Sequence, residues 1–182
     1  MGVRMRYLGI ISAAAFVATV WAANYALKHW GIVPVGFGLE APAGVYAAGI
    51  AFTLRDIVHR SLGPFAVIGA IIVGAALSYW LGASASIPGG HVSIALASGT
   101  AFLLSELADL SVYEPIRQRG WLPAVLASNV VGLVVDSALF LILAFGSLGL
   151  LWGQIVGKAW MTLAAILVLM VLRRVVPRVA FA

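Results

Sequence analysis

The chain has no cysteine and few charged residues. Asp, Glu, Lys and Arg together make up 9% of its 182 residues, against about a quarter in soluble domains. The absence of cysteine excludes a disulfide framework, a thiolate metal site and a cysteine nucleophile. No Ser–His–Asp set, no HExxH motif and no phosphate-binding loop is present either. The sequence therefore predicts no catalytic residue, no metal site and no cofactor, and we do not expect an enzyme.

Hydrophobic residues dominate instead, at 63% of the chain with a mean hydropathy of +1.10. Apolar runs of about 20 residues, the length that crosses a bilayer as a helix, occupy nearly the whole chain. The apolar residues are continuous and do not alternate, which argues against transmembrane strands. We therefore expect an all-α membrane protein, a single domain over residues 1–182, with six transmembrane helices at about residues 7–27, 43–60, 64–82, 91–110, 121–145 and 150–172.

The N-terminal segment resembles a secretory signal peptide, because Arg4 and Arg6 precede an apolar run. That run is longer than the apolar region of a signal peptide, and it ends at Asn24, Tyr25 and Lys28 with no soluble domain after it. We therefore interpret it as an uncleaved first span.

The basic residues lie at the ends of the predicted spans. This is the positive-inside pattern of membrane proteins rather than a nucleic-acid-binding stripe, so the net charge of +5 predicts no nucleic-acid partner. One side of the membrane has only Lys28, and the other has Arg4, Arg6, Arg60, Arg117, Arg119, Arg173, Arg174 and Arg178. We therefore expect both the N-terminus and the C-terminus to be cytoplasmic.

Helix-breaking residues and basic residues mark the connections between spans. An outer loop between spans 1 and 2 is predicted from its helix breakers, Pro34, Gly36, Gly38, Pro42 and Gly44. On the other side, a basic turn is predicted at residues 113–120, with Arg117 and Arg119. His59 and His91 lie at span ends without nearby metal-binding partners, so both are predicted to be interfacial.

Two opposite charges lie in the middle of apolar runs. Asp136 and Lys158 each cost about 2.5–3.5 kcal/mol there unless they are paired or hydrated. The helical rise places both at similar depth on neighbouring antiparallel helices, so we predict a buried ion pair. It is either a structural bridge that fixes helix register or part of a substrate or proton site. Asn129 shares a helical face with Asp136, and Gln154 shares one with Lys158, so these faces are predicted to line a cavity for a planar, hydrogen-bonding ligand.

A second polar group follows one face of span 4. Glu106, Asp109 and Tyr113 recur at spacings of three and four residues. Two carboxylates one turn apart repel each other unless one is protonated or a cation lies between them. Arg55 of span 2 has a comparable depth, so we predict a Glu106–Arg55 ion pair. The alternative is an interfacial cluster that only caps helix ends, which suits Asp109 better than the deeper Glu106. A carboxylate can also accept the ring N–H and the exocyclic amine of a guanine-type edge together.

Five segments occur in order along most of the chain: AANYALKHWGIVPVGFGLEAPAG, AFTLRDIVHRSLG, SELADLSVYEPIR, SNVVGLVVDSALF and GQIVGKAW. They resemble the VUT family of queuosine-precursor transporters, most specifically in SELxDxxVY and in the Asp of span 5 followed by GQxxxK. The resemblance implies a six-helix protein of the bacterial cytoplasmic (inner) membrane that imports 7-cyano- or 7-aminomethyl-7-deazaguanine for transfer-RNA modification. It also implies substrate-binding roles for Asn24, Asp56, Glu106, Asp109, Tyr113, Asn129, Asp136, Gln154 and Lys158.

Two positions differ from the pattern of that family, namely Arg55, which we expect beside Glu106 in the site, and Asn129. These differences leave another deazapurine or an unrelated small heterocycle open as the substrate. The leading interpretation is a secondary importer in which Glu106 and Asp136 recognise the base or couple transport to protons. Lys158 would keep Asp136 charged, and Asn129 with Gln154 would supply amide contacts.

Two other classes of protein are weighed against this one. A substrate-binding subunit of an energy-coupling-factor vitamin transporter would dock its energising subunit on the small residues Ala14, Ala18 and Ala22 of span 1, unless these serve packing within the chain. A membrane enzyme or scaffold would need a reactive centre or a docking surface, and the sequence indicates neither. The expected partners are a small heterocyclic substrate and membrane lipids, and composition leaves a homodimer open.

Overall fold

The computed structural model describes residues 3–83, 87, 91–116, 118 and 120–175. This part of the chain is mostly helical. Its elements are α1 Val3–Trp30, β1 Ile32–Gly36, β2 Leu39–Pro42, α2 Val45–Leu62, α3 Pro64–Ser78, a π-helical segment Tyr79–Ala83, α4 Ile94–Ile116, α5 Trp121–Phe145 and α6 Leu151–Val175. A long helix thus lies at each of the six positions where an apolar run predicts one.

Four helices are long and apolar enough within the described residues to cross a bilayer: Met5–Trp30, Pro64–Leu81, Ile94–Ile116 and Leu126–Phe145. α2 has 18 residues and is therefore about 27 Å long, close to the bilayer core of about 30 Å. Its hydropathy is lowered by Arg55, Asp56, His59 and Arg60. These polar residues are concentrated in the C-terminal half of α2, where the helix takes part in a buried polar cluster.

Small residues let the helices approach closely. A Cβ atom on Gly49 of α2 would lie 2.6 Å from Met161 Cβ of α6, and one on Gly99 of α4 would lie 2.6 Å from Ala75 Cβ of α3. Side chains do not tolerate such distances, so close packing here depends on glycine, as is common between membrane helices. The apolar core between the helices is formed by Phe16, Val20, Ala51, Phe52, Val58, Val67, Ala70, Ile71 and Phe102.

Residues 32–42 form a β-hairpin, so the prediction of an all-α fold is wrong in this segment. β1 and β2 are antiparallel, with Ile32 opposite Pro42 at the base of the hairpin. The turn has positive φ angles of 99°, 55° and 71° at Gly36, Phe37 and Gly38. The residues that break a helix here also permit a tight turn, so helix-breaking composition alone does not distinguish a hairpin from an irregular loop.

The hairpin packs along the N-terminal part of α6. Gly153 lies against the backbone carbonyl of Glu40, and Trp160 Nε1 donates a hydrogen bond to Val35 O at 3.2 Å. The exposed ring of Phe37 stacks on Trp160 with centroids 6.1 Å apart. Because Gly153 and Trp160 are seven residues apart on one helix, the hairpin follows α6 for about 10 Å. It therefore forms one wall beside the helix that contains Gln154 and Lys158.

α4 is longer than predicted. We expected span 4 to end near residue 110 and Tyr113 to begin a turn, but α4 continues to Ile116 and includes Tyr113. Pro115 lies at the penultimate position of the helix, so it disturbs only the last turn and the preceding residues keep their helical bonds. The predicted loop residues 84–86 and 88–90 lie outside the described residues, as do three arginines of the predicted orientation, Arg117, Arg119 and Arg178.

Candidate functional site

Two buried polar clusters lie inside the helical bundle. The lysine cluster consists of Asn24, Asp136, Ser137, Gln154 and Lys158. The arginine cluster consists of Arg55, Asp56, His59, Glu106, Asp109 and Asn129. Buried polar groups in a membrane protein are costly unless they have partners or a function, so these clusters are the candidate functional regions.

Lys158 and Asp136 form the buried ion pair that their depth predicts. Lys158 Nζ donates to Asp136 Oδ2, and also to Ser137 Oγ at 2.8 Å. Both charged residues are almost fully buried, at 1% and 3% exposure. Ser137 in turn donates to Leu133 O at 2.8 Å, which fixes its hydroxyl as an acceptor for the lysine. Ser137 was missed by sequence reasoning, and its position directly after Asp136 is the only signal for it.

A pocket opens beside this ion pair. The pocket and the open space at its mouth together enclose about 350 Å³. The pocket is lined by Ala23, Asn24, Leu27, Pro42, Gly44, Val45, Ala48, Ser98, Phe102, Asp136, Phe140, Gln154 and Lys158. α1, α2, α4, α5, α6 and the end of β2 thus all contribute to it.

Two amides at the pocket have polar atoms without a partner. Asn24 Nδ2 and Gln154 Oε1 are buried and make no hydrogen bond within the described part of the chain. Asn24 and Gln154 are each 2% exposed. An unsatisfied buried donor or acceptor costs about 1–3 kcal/mol, so a pair of them beside a cavity points to a ligand that satisfies both. A ligand that satisfied both would present an acceptor to Asn24 Nδ2 and a donor to Gln154 Oε1.

Three further pocket residues were missed by sequence reasoning. Phe102 and Phe140 offer aromatic surface to a flat ligand, and Ser98 offers a hydroxyl. Each lies in an apolar run, where a phenylalanine or serine that faces a cavity has the same sequence signature as one that packs in the core.

The arginine cluster is organised around a single guanidinium. Arg55 donates to Asp56 Oδ1 from Nε at 3.1 Å and from Nη2 at 2.7 Å, and Nη2 also donates to Asn129 Oδ1 at 3.1 Å. The predicted Glu106–Arg55 pair is confirmed, with Arg55 Nη1 3.3 Å from Glu106 Oε2. Asp109 Oδ1 lies 3.8 Å from Arg55 Nη2. Three carboxylates therefore surround one arginine.

His59 also belongs to this cluster, although the sequence predicts only an interfacial position for it. His59 Nδ1 lies 3.5 Å from Glu106 Oε1, and the histidine side chain is 30% exposed while that of Glu106 is 1% exposed. The signal for this contact is the spacing of four residues between Arg55 and His59, which puts both on one face of α2.

The prediction that Asn129 lines the same cavity as Asp136 is wrong. Asn129 accepts a hydrogen bond from Arg55 and lies in the arginine cluster. Asn129 and Asp136 are on one face of α5, as predicted, but seven residues separate them by about 10 Å along the helix. Two neighbouring helices meet this face at different levels, and a shared face alone does not tell which neighbour each residue contacts.

Phe52 lies between the two clusters. Its ring centroid is 5.0 Å from Arg55 Cζ and 5.7 Å from Lys158 Nζ, and it packs against Phe102 at 5.6 Å. Since Phe102 lines the pocket, the two rings separate the pocket from the arginine cluster.

Tyr113 is half-buried on α4, one turn beyond Asp109. Among the described residues it makes none of the polar contacts that join the arginine cluster. No group of three or more His, Cys, Asp and Glu residues in the described ranges is arranged to hold a metal ion.

The long apolar helices define a multi-pass membrane protein, and the pocket beside the Asp136–Lys158 pair is its candidate site. Comparison with protein families specifies the class further, because the family described as "Putative vitamin uptake transporter" matches residues 42–177. The match covers most of the chain, and the chain belongs to this family of uptake transporters. Neither the curated proteins nor the solved structures give a match.

Proposed function

We propose that this protein imports queuosine precursors, 7-cyano- or 7-aminomethyl-7-deazaguanine, across the bacterial inner membrane for transfer-RNA modification. In this proposal residues 1–182 form one domain with six transmembrane spans and cytoplasmic termini, and transport is secondary active. The observation that carries the proposal is the pocket beside Asp136 and Lys158, with its unsatisfied donor on Asn24 and unsatisfied acceptor on Gln154.

A deazaguanine ring has the groups that this pocket lacks. Its ring carbonyl accepts a hydrogen bond and can pair with Asn24 Nδ2, while its adjacent ring N–H donates and can pair with Gln154 Oε1. Asp136, kept charged by Lys158, can accept from the exocyclic amine. Phe102 and Phe140 can pack on the faces of the ring. A single planar molecule can thus satisfy the polar groups and fill the apolar space.

We assign the arginine cluster to a later stage of the transport cycle. Arg55, Asp56, Glu106, Asp109 and Asn129 are polar groups beyond Phe52, on the side of the predicted cytoplasmic surface. Tyr113 extends this polar face of α4 toward the helix end. A substrate released from the pocket past Phe52 and Phe102 would pass along these groups.

Thermal stabilisation of the detergent-purified protein tests the substrate assignment. The ligands are 7-cyano-7-deazaguanine, its aminomethyl analogue, queuine, guanine and riboflavin, and the variants are Gln154→Leu and Asp136→Asn. We expect a selective stabilisation by the deazaguanines that both variants lose. Glu40→Gln, which changes an exposed carboxylate on the hairpin, serves as the control that keeps the shift. Stabilisation by riboflavin alone, or by none of the five ligands well above any plausible dissociation constant, would refute the assignment.

One observation favours a second candidate, the substrate-binding subunit of an energy-coupling-factor transporter. Ala14 and Ala18 are exposed on α1 and so are not used for packing within the described chain, while Ala22 is partly buried. A partner helix could approach this surface closely. Ala14→Trp or Ala18→Trp would then abolish uptake and spare ligand binding. For a secondary transporter that works alone, uptake by both variants should stay near the wild-type level.

A further inference from the structure

The arginine cluster has more acidic groups than its fixed cation can balance. Asp56, Glu106 and Asp109 each lie within 3.8 Å of Arg55, so three carboxylates face one guanidinium. Asp56 is partly exposed, with 44% of its side chain accessible, but Glu106 is buried. Unbalanced negative charge inside a membrane protein is costly, so the buried part of the cluster requires a further positive charge.

The carboxylate of Glu106 has no hydrogen bond to satisfy it. Oε1 and Oε2 are both buried without a hydrogen-bond partner within the described residues, and so is Arg55 Nη1, which faces Oε2. The ion-pair distance of 3.3 Å to Arg55 is long for a charge-assisted bond, which is typically about 2.7–2.9 Å. A proton on Glu106 would remove one negative charge from the cluster, and it would give the carboxyl an O–H donor for a hydrogen bond.

His59 connects this buried carboxylate to the surface of the protein near the C-terminal end of α2. Its Nδ1 lies 3.5 Å from Glu106 Oε1, and its ring is the exposed member of the pair. Imidazole changes its charge near neutral pH and carries a proton on either nitrogen. It is therefore suited to transfer protons between water and a buried acid.

We infer that His59 and Glu106 form a proton-binding site that is distinct from the substrate pocket. His59 Nε2 takes one proton from water, and the proton on Nδ1 passes to Glu106 Oε1. The imidazole is then neutral in its other tautomer, Glu106 is a neutral carboxylic acid, and one proton has moved from solvent into the bundle. Release is the reverse of these steps.

The residues around His59 and Glu106 connect the charge of this pair to the substrate pocket. The charged groups that face it are Arg55 and Asp56 from α2 and Asp109 from α4, whereas α5 contributes the neutral Asn129 and α3 has no charged residue. Arg55 also contacts the Phe52 ring that Lys158 contacts. Protonation of Glu106 weakens its electrostatic attraction to Arg55. Because Arg55 contacts Phe52, this change affects the Phe52–Phe102 pair that separates the two clusters. The inference that this proton drives uptake rests on the proposed transport function, whereas the proton site itself does not.

Infrared pH titration of the detergent-purified protein tests the proton site without any substrate. We expect a signal from a protonated carboxylic acid that Glu106→Gln removes and that Glu114→Gln, a change in an exposed carboxylate further along α4, retains. His59→Gln should shift the pH at which the signal appears, because the imidazole beside Glu106 Oε1 is gone. An unchanged signal in Glu106→Gln, or a wild-type titration in His59→Gln, would overturn the proton site. His59→Gln changes a partly exposed side chain and so keeps the test informative if Glu106→Gln does not fold.

Transport in proteoliposomes tests the coupling. With the membrane potential clamped, a gradient of one pH unit and one proton per substrate support about tenfold accumulation of 7-cyano-7-deazaguanine. Accumulation of substrate is compared with the exchange of internal for external substrate in each variant. We expect the ratio of accumulation to exchange to fall in Glu106→Gln and His59→Gln, and to stay at the wild-type value in Glu114→Gln. Wild-type accumulation in both site variants, or accumulation driven by a sodium gradient in place of the pH gradient, would contradict the coupling. Absence of exchange in the wild type would instead refute the proposed substrate, and the infrared titration would still decide the proton site.

Discussion

At the scale of single residues, the Asp136–Lys158 pair combines a cost and a use. The cost of desolvating two buried charges offsets most of the attraction between them, so the pair contributes little net stability. Removal of one partner nevertheless leaves an uncompensated buried charge. The pocket lies directly against the pair, and that position favours a role in substrate binding over a purely structural bridge.

A double substitution separates these two interpretations. Lys158→Met alone should destabilise the protein by about 3–5 kcal/mol, because Asp136 is left buried without its partner. Asp136→Leu with Lys158→Met should recover most of this loss, since neither charge remains. Thermal unfolding in detergent and uptake in vesicles measure the two effects. If the pair is a substrate site, the double variant is stable but inactive, whereas wild-type uptake by the double variant would show a structural bridge.

Substitution of Asn24 tests whether its buried side-chain amide serves ligand binding or the stability of the fold. Its buried Nδ2 has no partner in the described structure, so Asn24→Leu removes a cost of about 1–3 kcal/mol, less any loss from the change in shape. We expect the ligand-free variant to unfold at the wild-type temperature or above it, and to lose stabilisation by 7-cyano-7-deazaguanine. A strongly destabilised variant that still binds the ligand would show that Asn24 has a structural role.

The two ion pairs could be predicted from the sequence, because depth along a helix follows directly from the rise per residue. Which residues share a cavity could not. Asn129 and Asp136 lie on one face of α5, but the contacts of each depend on which helix crosses at its level, and that depends on the packing of glycines such as Gly49 and Gly99. His59 was placed at the interface for the same reason, since its neighbour Glu106 comes from another helix.

At the scale of elements, the hairpin and α6 depend on each other. A Cβ atom on Gly153 would collide with the backbone of Glu40, and one on Gly157 would lie 2.8 Å from Val45 and 3.2 Å from Val35. Glycines one turn apart therefore give α6 a smooth surface against which β1, β2 and the start of α2 pack.

Gly153→Ala should displace the hairpin and weaken the wall of the pocket. Overpacking of this kind costs about 1–3 kcal/mol, because the neighbour is backbone and cannot rotate away. Gly69→Ala on α3 is the matched control, since a Cβ atom added there would meet nothing within 4 Å. We expect a lower unfolding temperature in detergent for Gly153→Ala and no loss for Gly69→Ala. Equal unfolding temperatures would mean that the hairpin does not pack closely on α6.

The long helices could be predicted from continuous apolar runs, since a bilayer imposes their length. The hairpin could not, because its glycines and prolines signal a break without specifying what replaces the helix. The end of α4 was placed too early because the polar residues near Tyr113 suggest a surface, whereas the helix continues beyond the apolar run.

At the scale of the whole molecule, the distribution of basic residues predicts the orientation. With cytoplasmic termini, the turn between α5 and α6 faces outward and the end of α4 faces inward. The arginine cluster then lies nearer the cytoplasm than the pocket, so the proposed proton site and the proposed substrate site lie at different depths in the membrane.

Single cysteines test this topology without background, because the chain has none. Leu148→Cys, in the exposed turn after α5, should react with an impermeant thiol reagent in intact cells. Glu114→Cys, near the end of α4, should react only after the membrane is permeabilised. The reverse pattern would mean that the protein is inverted in the membrane, and labelling of both in intact cells would contradict the predicted span arrangement.

The central claim is that the pocket beside the Asp136–Lys158 pair binds the transported molecule. Calorimetric titration of the purified protein with 7-cyano-7-deazaguanine, beside Gln154→Leu and Glu40→Gln, tests it most directly. We predict one site per chain in the wild type and in Glu40→Gln, and binding weakened at least about tenfold in Gln154→Leu, since a ligand donor is left unpaired. Equal affinity in Gln154→Leu and the wild type would contradict the claim.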